Sequence, residues 1–285
     1  MDDDVGLAEA AVAISYLEAM RGHVAEAQVW ASNALRYALA AGRPREAAQA
    51  AGDLLINSAA GPLPFDRFAA TARELVATGE PISGSTGHAL MAVAALAAGD
   101  AQGFHEHEGR WREVLDGQGL AWLTATHGLS IAYVEISVGK AEAAEGRLRE
   151  AREFLAAIGN IWWLDIADGF LCEAVGAQDR PREFLRLADD LEAFPDREGL
   201  IRRQLVLARA HLLRGSAPEA EAAAKRALKL GEPTDIVPEH ANALLMLADV
   251  LDARGLGEDA ATARGEAIAK LRAKGNLAAV ARLGG

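Results

Sequence analysis

The sequence predicts an all-α fold, a solenoid of about seven helix-turn-helix repeats stacked along one axis. The first observation is a set of glycines at intervals of 37 to 40 residues, namely Gly22, Gly61, Gly99, Gly139, Gly176, Gly215 and Gly255. A second set of breaks falls about midway between them, at Gly42, Gly79, Gly119, Gly159, Pro195, Gly231 and Gly275. Two breaks in each period divide it into two helical segments, which is typical of stacked helical arrays.

The second observation is that the two segments of a period differ in polarity. Residues 7–20 are apolar almost all round, whereas residues 24–40 carry small apolar residues at the i, i+3, i+4, i+7 spacing of a single buried face. The same contrast separates residues 128–138 from residues 141–158. We therefore expect the first helix of each pair to lie between neighbouring pairs, and the second to keep one face in water.

Proline positions indicate where helices begin and where the chain turns. Four prolines stand at or near the first turn of a segment, where a missing N–H costs little: Pro44, Pro64, Pro181 and Pro218. Residues 59–65 predict the sharpest turn, and residues 79–88 and 231–240 predict the longest loops. If the array bends, we expect the bend at residues 79–87. No charged or low-complexity linker divides the chain, so residues 1–285 are predicted to form one domain.

Composition and charge exclude several classes of protein. The sequence has no apolar window of about 18 residues, and its acidic N-terminus lacks the basic segment of a signal peptide, so we expect a cytoplasmic protein without a membrane span. The net charge of −12 disfavours direct nucleic-acid binding. Cys172 is the only cysteine and lies in an apolar run, which predicts a buried structural thiol.

Short motifs around the break glycines resemble those of the tetratricopeptide (TPR) repeat. An alanine follows the glycine by five residues in four periods, at Ala27, Ala144, Ala220 and Ala260. A Leu-Ala or Ile-Ala pair precedes it in three, at Ile131-Ala132, Leu207-Ala208 and Leu247-Ala248. The period exceeds the roughly 34 residues of a TPR unit. Longer units of this kind are similar to the C-terminal arrays of MalT-like LuxR transcription activators and of bacterial ATPase-coupled nucleotide cyclases. The resemblance implies a right-handed superhelix whose first helices line a concave groove.

No motif for catalysis is present. The sequence contains no phosphate-binding GxxxxGK[ST] loop, no HExxH and no GxSxG. His105 and His107 are two residues apart on a predicted helix and therefore point about 200° apart, so they are not expected to bind one metal ion. We expect a protein that is not an enzyme, with no catalytic residue, metal or cofactor.

The repeat register predicts a ligand-binding row on the inner face of the first helices. Residues six and thirteen positions before each break glycine lie two helical turns apart and share one face. From the fourth to the seventh repeat these positions hold Asp249 and the seven predicted site residues: Thr126, Tyr133, Trp163, Phe170, Arg202, Arg209 and Asn242. Aromatic rings beside two guanidinium groups suit a peptide carboxylate or a small aromatic or sugar-like ligand. Aromatic residues at helical spacing are also typical of a core.

Three functional hypotheses follow. The first is a protein-interaction or sensor module of a bacterial regulator, with a peptide or protein partner in an open concave groove. The second is a small-molecule receptor, whose effector packs against Trp163, Tyr133 and Phe170 in a closed pocket. The third is self-association through residues 7–20, which no preceding repeat covers.

Overall fold

The computed structural model describes residues 4–191 and 196–285 of the chain. Within them every element is helical: fifteen α-helices and one short 3-10 helix, with no β-strand. The predicted all-α class is therefore confirmed. Pro195, one of the predicted breaks, lies outside the described residues.

The helices follow one another closely along the chain. The first half contains α1 (Asp4–Arg21), α2 (Val24–Ala40), α3 (Pro44–Ala60), the 3-10 helix η1 (Phe65–Arg67), α4 (Phe68–Ala77), α5 (Pro81–Ala98), α6 (Ala101–Gln118) and α7 (Ala121–Ser137). The second half contains α8 (Ala141–Ala157), α9 (Ile161–Gly176), α10 (Pro181–Asp190), α11 (Arg197–Leu213), α12 (Ala217–Gly231), α13 (Val237–Ala253), α14 (Gly257–Lys274) and α15 (Leu277–Arg282).

The predicted breaks end helices. Ten of the break glycines have φ values between 63° and 86°, the left-handed conformation that glycine adopts without a steric penalty. Gly99 is typical: its N–H donates to the carbonyl of Leu96, and the chain then turns directly into α6. The predicted turn at residues 59–65 and the loop within residues 231–240 are also confirmed, because α3 ends at Ala60 and no helix covers residues 232–236.

The loop predicted at residues 79–88 is wrong, because α5 begins at Pro81. The Glu80 carboxylate accepts hydrogen bonds from the N–H groups of Ile82 and Ser83, and Pro81 occupies the first helical position. Gly87 lies inside the helix for a packing reason. A Cβ at this position would lie 2.6 Å from the carbonyl oxygen of Ala72 on α4. Gly87, one of the glycines that suggested a loop, instead lets α4 and α5 approach closely.

Burial differs between the two helices of a pair as the sequence predicts. Along α7, residues 125–135 are buried without interruption. On α8 the buried positions form one stripe of six residues: Ala141, Ala144, Glu145, Leu148, Ala151 and Leu155. Helix α7 contacts α3, α5, α8 and α9, and therefore lies at the centre of the molecule. Cys172 is buried, as predicted, and Trp111 fills the interior next to His127.

The C-terminal helices return to the N-terminal half. Helix α13 contacts α3, α15 contacts α5, and α11 contacts α1. Lys274, at the end of α14, donates from Nζ to the carbonyl oxygens of Ser58 at 2.8 Å and Leu63 at 2.7 Å. Asn276 donates from Nδ2 to the hydroxyl of Ser137 at 2.9 Å. The C-terminal end of the chain therefore packs against helices of its first half.

A second link joins the α12–α13 turn to the start of α2. The Asp235 carboxylate accepts hydrogen bonds from the backbone N–H groups of Val24 and Ala25, the latter at 2.9 Å. The backbone N–H of Asp235 donates to the carbonyl of Gly22 at 3.1 Å. His23, the residue that precedes α2, makes no capping hydrogen bond with its side chain, so Asp235 replaces a local cap.

None of the described helices combines the length and the apolar character that crossing a lipid bilayer would require.

Candidate functional site

A buried charged cluster lies where α7, α9, α11 and α13 meet. The Arg202 guanidinium contacts three carboxylates: Glu239 from Nη2 at 2.7 Å, Glu173 from Nε at 3.0 Å, and Glu198 one turn earlier on α11. The Tyr133 hydroxyl donates to the same Glu239 oxygen at 3.2 Å. The other oxygen of Glu239 is buried and has no hydrogen-bond partner among the described residues.

Two aromatic rings complete this cluster. Tyr133 and Phe170 stack with their ring centroids 4.8 Å apart, and the Arg202 guanidinium carbon lies 4.2 Å from the Phe170 centroid. The structure thus brings together three of the residues that the sequence placed in one row. It places them in the interior, however, where the guanidinium is satisfied by carboxylates of the chain itself.

Burial changes the titration of the cluster. Desolvation, followed by the negative charge of Glu239, raises the pKa of Glu173 to about 8. Desolvation also raises the pKa of Glu198 to about 7, although Arg202 opposes the shift. Three carboxylates share one guanidinium, so near neutral pH the cluster retains protons that ordinary glutamates would have lost. Its net charge is therefore smaller than the residue types suggest.

A cavity of about 570 Å³ opens on one side of the cluster. We call it the central cavity, and its polar lining residues include Tyr133, Glu173, Arg209, Asn242, Asp249 and Arg264. Its volume lies within the range of roughly 300–1,000 Å³ that small-molecule sites occupy. Arg209 is oriented by a hydrogen bond from Nη2 to the carbonyl of Gly176, which leaves other N–H groups of its guanidinium available. Cationic and anionic groups are both present in the wall.

A second concavity, of about 870 Å³, opens between the α1, α3, α7 and α9 helices. We call it the aromatic groove, defined by Tyr16, Asp53, Trp122, Phe154, Trp162 and Trp163. A recess of about 40 Å³ shares four of these residues and extends to Asp196, Glu198 and Arg202. The charged cluster therefore contributes Tyr133 and Glu173 to the wall of the central cavity, and Glu198 and Arg202 to the wall of the recess.

The seven predicted site residues divide into three groups. Tyr133, Arg209 and Asn242 line the central cavity. Trp163 and Arg202 line the recess, and Trp163 also lines the aromatic groove.

Thr126 and Phe170 are fully buried between helices and line neither space. Thr126 donates from Oγ1 to the carbonyl of Trp122, and it faces Gly52 so closely that a Cβ there would lie 2.9 Å from the hydroxyl oxygen. In this arrangement neither residue has surface that a ligand could contact. A binding role for them stays a prediction without structural support.

Several residues of these concavities were not singled out by the sequence pattern. Asp53 is a lone acid in the otherwise uncharged run AAGDLLINSAA, and this signal could have identified it. Trp162 is adjacent to the predicted Trp163, and Trp122 lies one helical turn before the predicted Thr126; both line the groove. No local sequence pattern identifies Glu173 and Glu239 as cluster residues, because Arg202, which both of them bind, is distant in sequence.

One group of side chains has the composition of a metal site. Glu18, His23 and Glu26 bring ligand atoms within 4.8 Å of one another near the α1–α2 turn. His23 Nδ1 lies 2.8 Å from Glu18 Oε2, and Arg21 pairs with the other Glu18 oxygen at 2.7 Å. These contacts account for the short distances between the side chains without a metal ion, and we assign no metal to this group.

The histidines of α6 contact different neighbours. His105 is largely exposed and lies 3.8 Å from Glu108, whereas His107 stacks on His88 with 3.3 Å between their Nδ1 atoms. The two rings therefore do not share a site.

No protein-family model matches the sequence, and no curated protein sequence matches it. The likeness to TPR arrays therefore depends on the residue pattern of the chain.

Proposed function

We propose that this chain is a TPR-like sensor module of a regulatory protein, which binds a small-molecule effector in its interior and has no enzymatic activity. The proposal includes a right-handed solenoid of about seven helix pairs and a cytoplasmic location. The alternation of buried and half-exposed helices supports the repeat architecture. The two concavities beside the charged cluster support a binding role.

The observation that carries the proposal is the return of the C-terminal helices onto the N-terminal half. An extended peptide requires an open trough along the first helices of the array. Here Lys274 and Asn276 bind carbonyl and hydroxyl groups of the N-terminal half, α13 contacts α3 and α15 contacts α5. What remains are partly open concavities of the size that suits a small molecule.

A peptide or protein partner is the second candidate, favoured by the exposed surface of α1. Three apolar side chains of this helix are 38–50% exposed: Val5, Leu7 and Leu17. Such a surface suits a partner helix or a second copy of the chain. Binding there does not require the interior.

Thermal unfolding of the full chain tests the proposal, with choline, sucrose and succinate as cationic, neutral and anionic probes. A ligand that binds only the folded state at about 100 times its Kd stabilises it by roughly 2.7 kcal/mol. We expect one probe class to raise Tm and Asn242→Leu or Asp53→Asn to weaken that effect, according to which concavity is used. An unchanged Tm with all three probes, or a rise in Tm that neither variant weakens, would contradict an interior site.

A further inference from the structure

We propose that the aromatic groove binds a small organic cation, an alkylated or quaternary ammonium, with Asp53 as its counter-ion. This inference rests on the proposed function and names the class of ligand. It follows from three features of the groove: the arrangement of its rings, the isolation of its carboxylate and the charge around it.

The rings form a continuous wall. Tyr16 and Trp162 lie 5.0 Å apart between centroids, and Trp162 and Trp163 lie 6.3 Å apart at 85°. Trp122 meets Trp163 at 90° and 6.1 Å. Rings at right angles turn faces in different directions, as in the aromatic cages that hold ammonium groups. A cation within about 6 Å of such a face is attracted by the ring quadrupole.

Asp53 supplies a carboxylate without a partner. It stands on α3 between Tyr16 of α1 and the tryptophans of α9, and no described residue forms a hydrogen bond or an ion pair with it. Other carboxylates of the interior are paired, as Glu239 is with Arg202. A carboxylate left unpaired in a partly desolvated groove is the feature that a cationic ligand would complete.

The charges that face Asp53 favour a cation. On α11, Asp196 and Glu198 line the recess next to it, and the Arg202 guanidinium is already bound by three glutamates. On α3, Arg45 lines the mouth of the groove and is exposed. The inner part of the groove therefore carries excess negative charge.

An organic cation fits this lining better than a metal ion does. Asp53 is the only carboxylate among the described residues of the larger groove. Calcium takes about 6–8 oxygen ligands, which one carboxylate and five aromatic residues do not provide. The rings instead suit the methyl and methylene groups of an alkylated ammonium.

Binding should also release a proton. Desolvation raises the pKa of Asp53 to about 7, so near neutral pH a substantial fraction of the carboxyl is protonated. A cation placed beside it favours the ionised form and lowers its pKa. We therefore expect affinity for the cation to increase as pH rises from about 6 to 8.

The test compares choline with 3,3-dimethyl-1-butanol, its uncharged carbon isostere, by tryptophan fluorescence and calorimetry on the full chain. Choline is expected to give a saturable change, with affinity at least about tenfold above that of the isostere. Calorimetry in buffers of different ionisation enthalpy should show proton release at pH 7 that is absent in Asp53→Asn.

Matched variants assign the site. Asp53→Asn and Tyr16→Ala are expected to weaken choline binding by about tenfold each. Asp66→Asn makes the same chemical change at an exposed position on η1 and should leave the affinity for choline unchanged. Equal affinity for the isostere, or no saturable response to choline, overturns the cation proposal. If sucrose or succinate stabilises the protein and choline does not, the cation proposal is overturned, but the proposal of a small-molecule site is not.

Discussion

Arg202 on α11 and Glu239 on α13 form an ion pair that solvent does not reach. Their side chains are 1% and 0% exposed, and Nη2 lies 2.7 Å from Oε1. Glu173 of α9 binds the same guanidinium, and Tyr133 of α7 donates to the same Glu239 oxygen. One arginine thus connects four helices that are distant in sequence, and removing it leaves buried carboxylates without a cation.

Arg202→Met is expected to destabilise the protein by about 3–5 kcal/mol at pH 8, the usual result of breaking a buried ion pair from one side. The loss should be smaller at pH 6, because the carboxyls can then be neutral; the raised pKa values of Glu173 and Glu198 permit this. Urea unfolding followed by circular dichroism measures the effect.

Arg203→Met is the matched control, since Arg203 is the half-buried next residue of α11 and has no ion pair among the described residues. It should change the unfolding free energy by less than about 0.5 kcal/mol. Equal effects of the two variants would show that the Arg202 cluster does not hold the helices together.

Asp235→Ala is expected to cost about 1–2 kcal/mol, because two N–H groups at the start of α2 lose their acceptor. Hydrogen exchange should accelerate at Val24 and Ala25, far away in sequence. Asp100→Ala removes a local cap, in which the carboxylate accepts from Gly103 at 2.9 Å, and should accelerate exchange only at the start of α6. Unchanged exchange at α2 in Asp235→Ala would argue against the contact between the chain ends.

His127→Leu is expected to remove part of the acid sensitivity of the protein. His127 is fully buried, neither ring nitrogen has a hydrogen-bond partner among the described residues, and desolvation lowers its pKa to about 3. Because the folded-state pKa is depressed, this histidine contributes stability above pH 6.5 that is lost as pH falls toward 3.

The measurement is the difference in unfolding free energy between wild type and His127→Leu at several pH values. Wild type should lose up to about 1.4 kcal/mol per pH unit relative to the variant between pH 6 and 4. His105→Leu, at an exposed site of α6, should show no such slope. Parallel curves for wild type and His127→Leu would mean that His127 is protonated in the folded state.

Lys274→Met probes the opposite end of the pH scale. Burial lowers the pKa of Lys274 to about 7, and its Nζ contacts two backbone carbonyls and the Phe65 ring at 4.5 Å. With a depressed folded-state pKa, the stability contribution is complete above about pH 10.5 and is lost as pH falls through 7. Wild type should therefore gain stability relative to the variant as pH rises from 7 to 10, whereas the exposed Lys229→Met gives no such gain. A flat difference would show that Lys274 stays charged.

Local patterns in the sequence predicted the helices well. Gly99 and Gly139 ended helices where the period required, and the uninterrupted burial of α7 matched the apolar character of residues 128–138. The failure at residues 79–88 came from Gly84 and Gly87, which resemble turn residues in sequence. Gly87 is instead required because α4 passes too close for a side chain.

The return of the C-terminal helices was not predictable from local patterns. Each pair of helices adds a small rotation, and only the sum over the array determines which distant elements meet. Asp235 and Lys274 bind backbone groups, which have no sequence signature. The sequence pattern predicts that Phe170 and Arg202 contact a ligand. In the structure Arg202 is bound by glutamates of the chain itself, and these are too far away in sequence to appear in a local pattern.

The meeting of the two chain ends is the claim on which the central cavity depends, because Phe65 from one half and Asn276 from the other both line it. Spin labels at His23→Cys and Glu232→Cys, with Cys172→Ala, report it by pulsed electron resonance. In the structure these positions flank the hydrogen bond from Asp235 N to Gly22 O at 3.1 Å, so we expect a short and narrow distance distribution. An open array would separate them by five packed helix pairs, about 40–50 Å at roughly 8–10 Å each, and a distribution centred there would contradict the account.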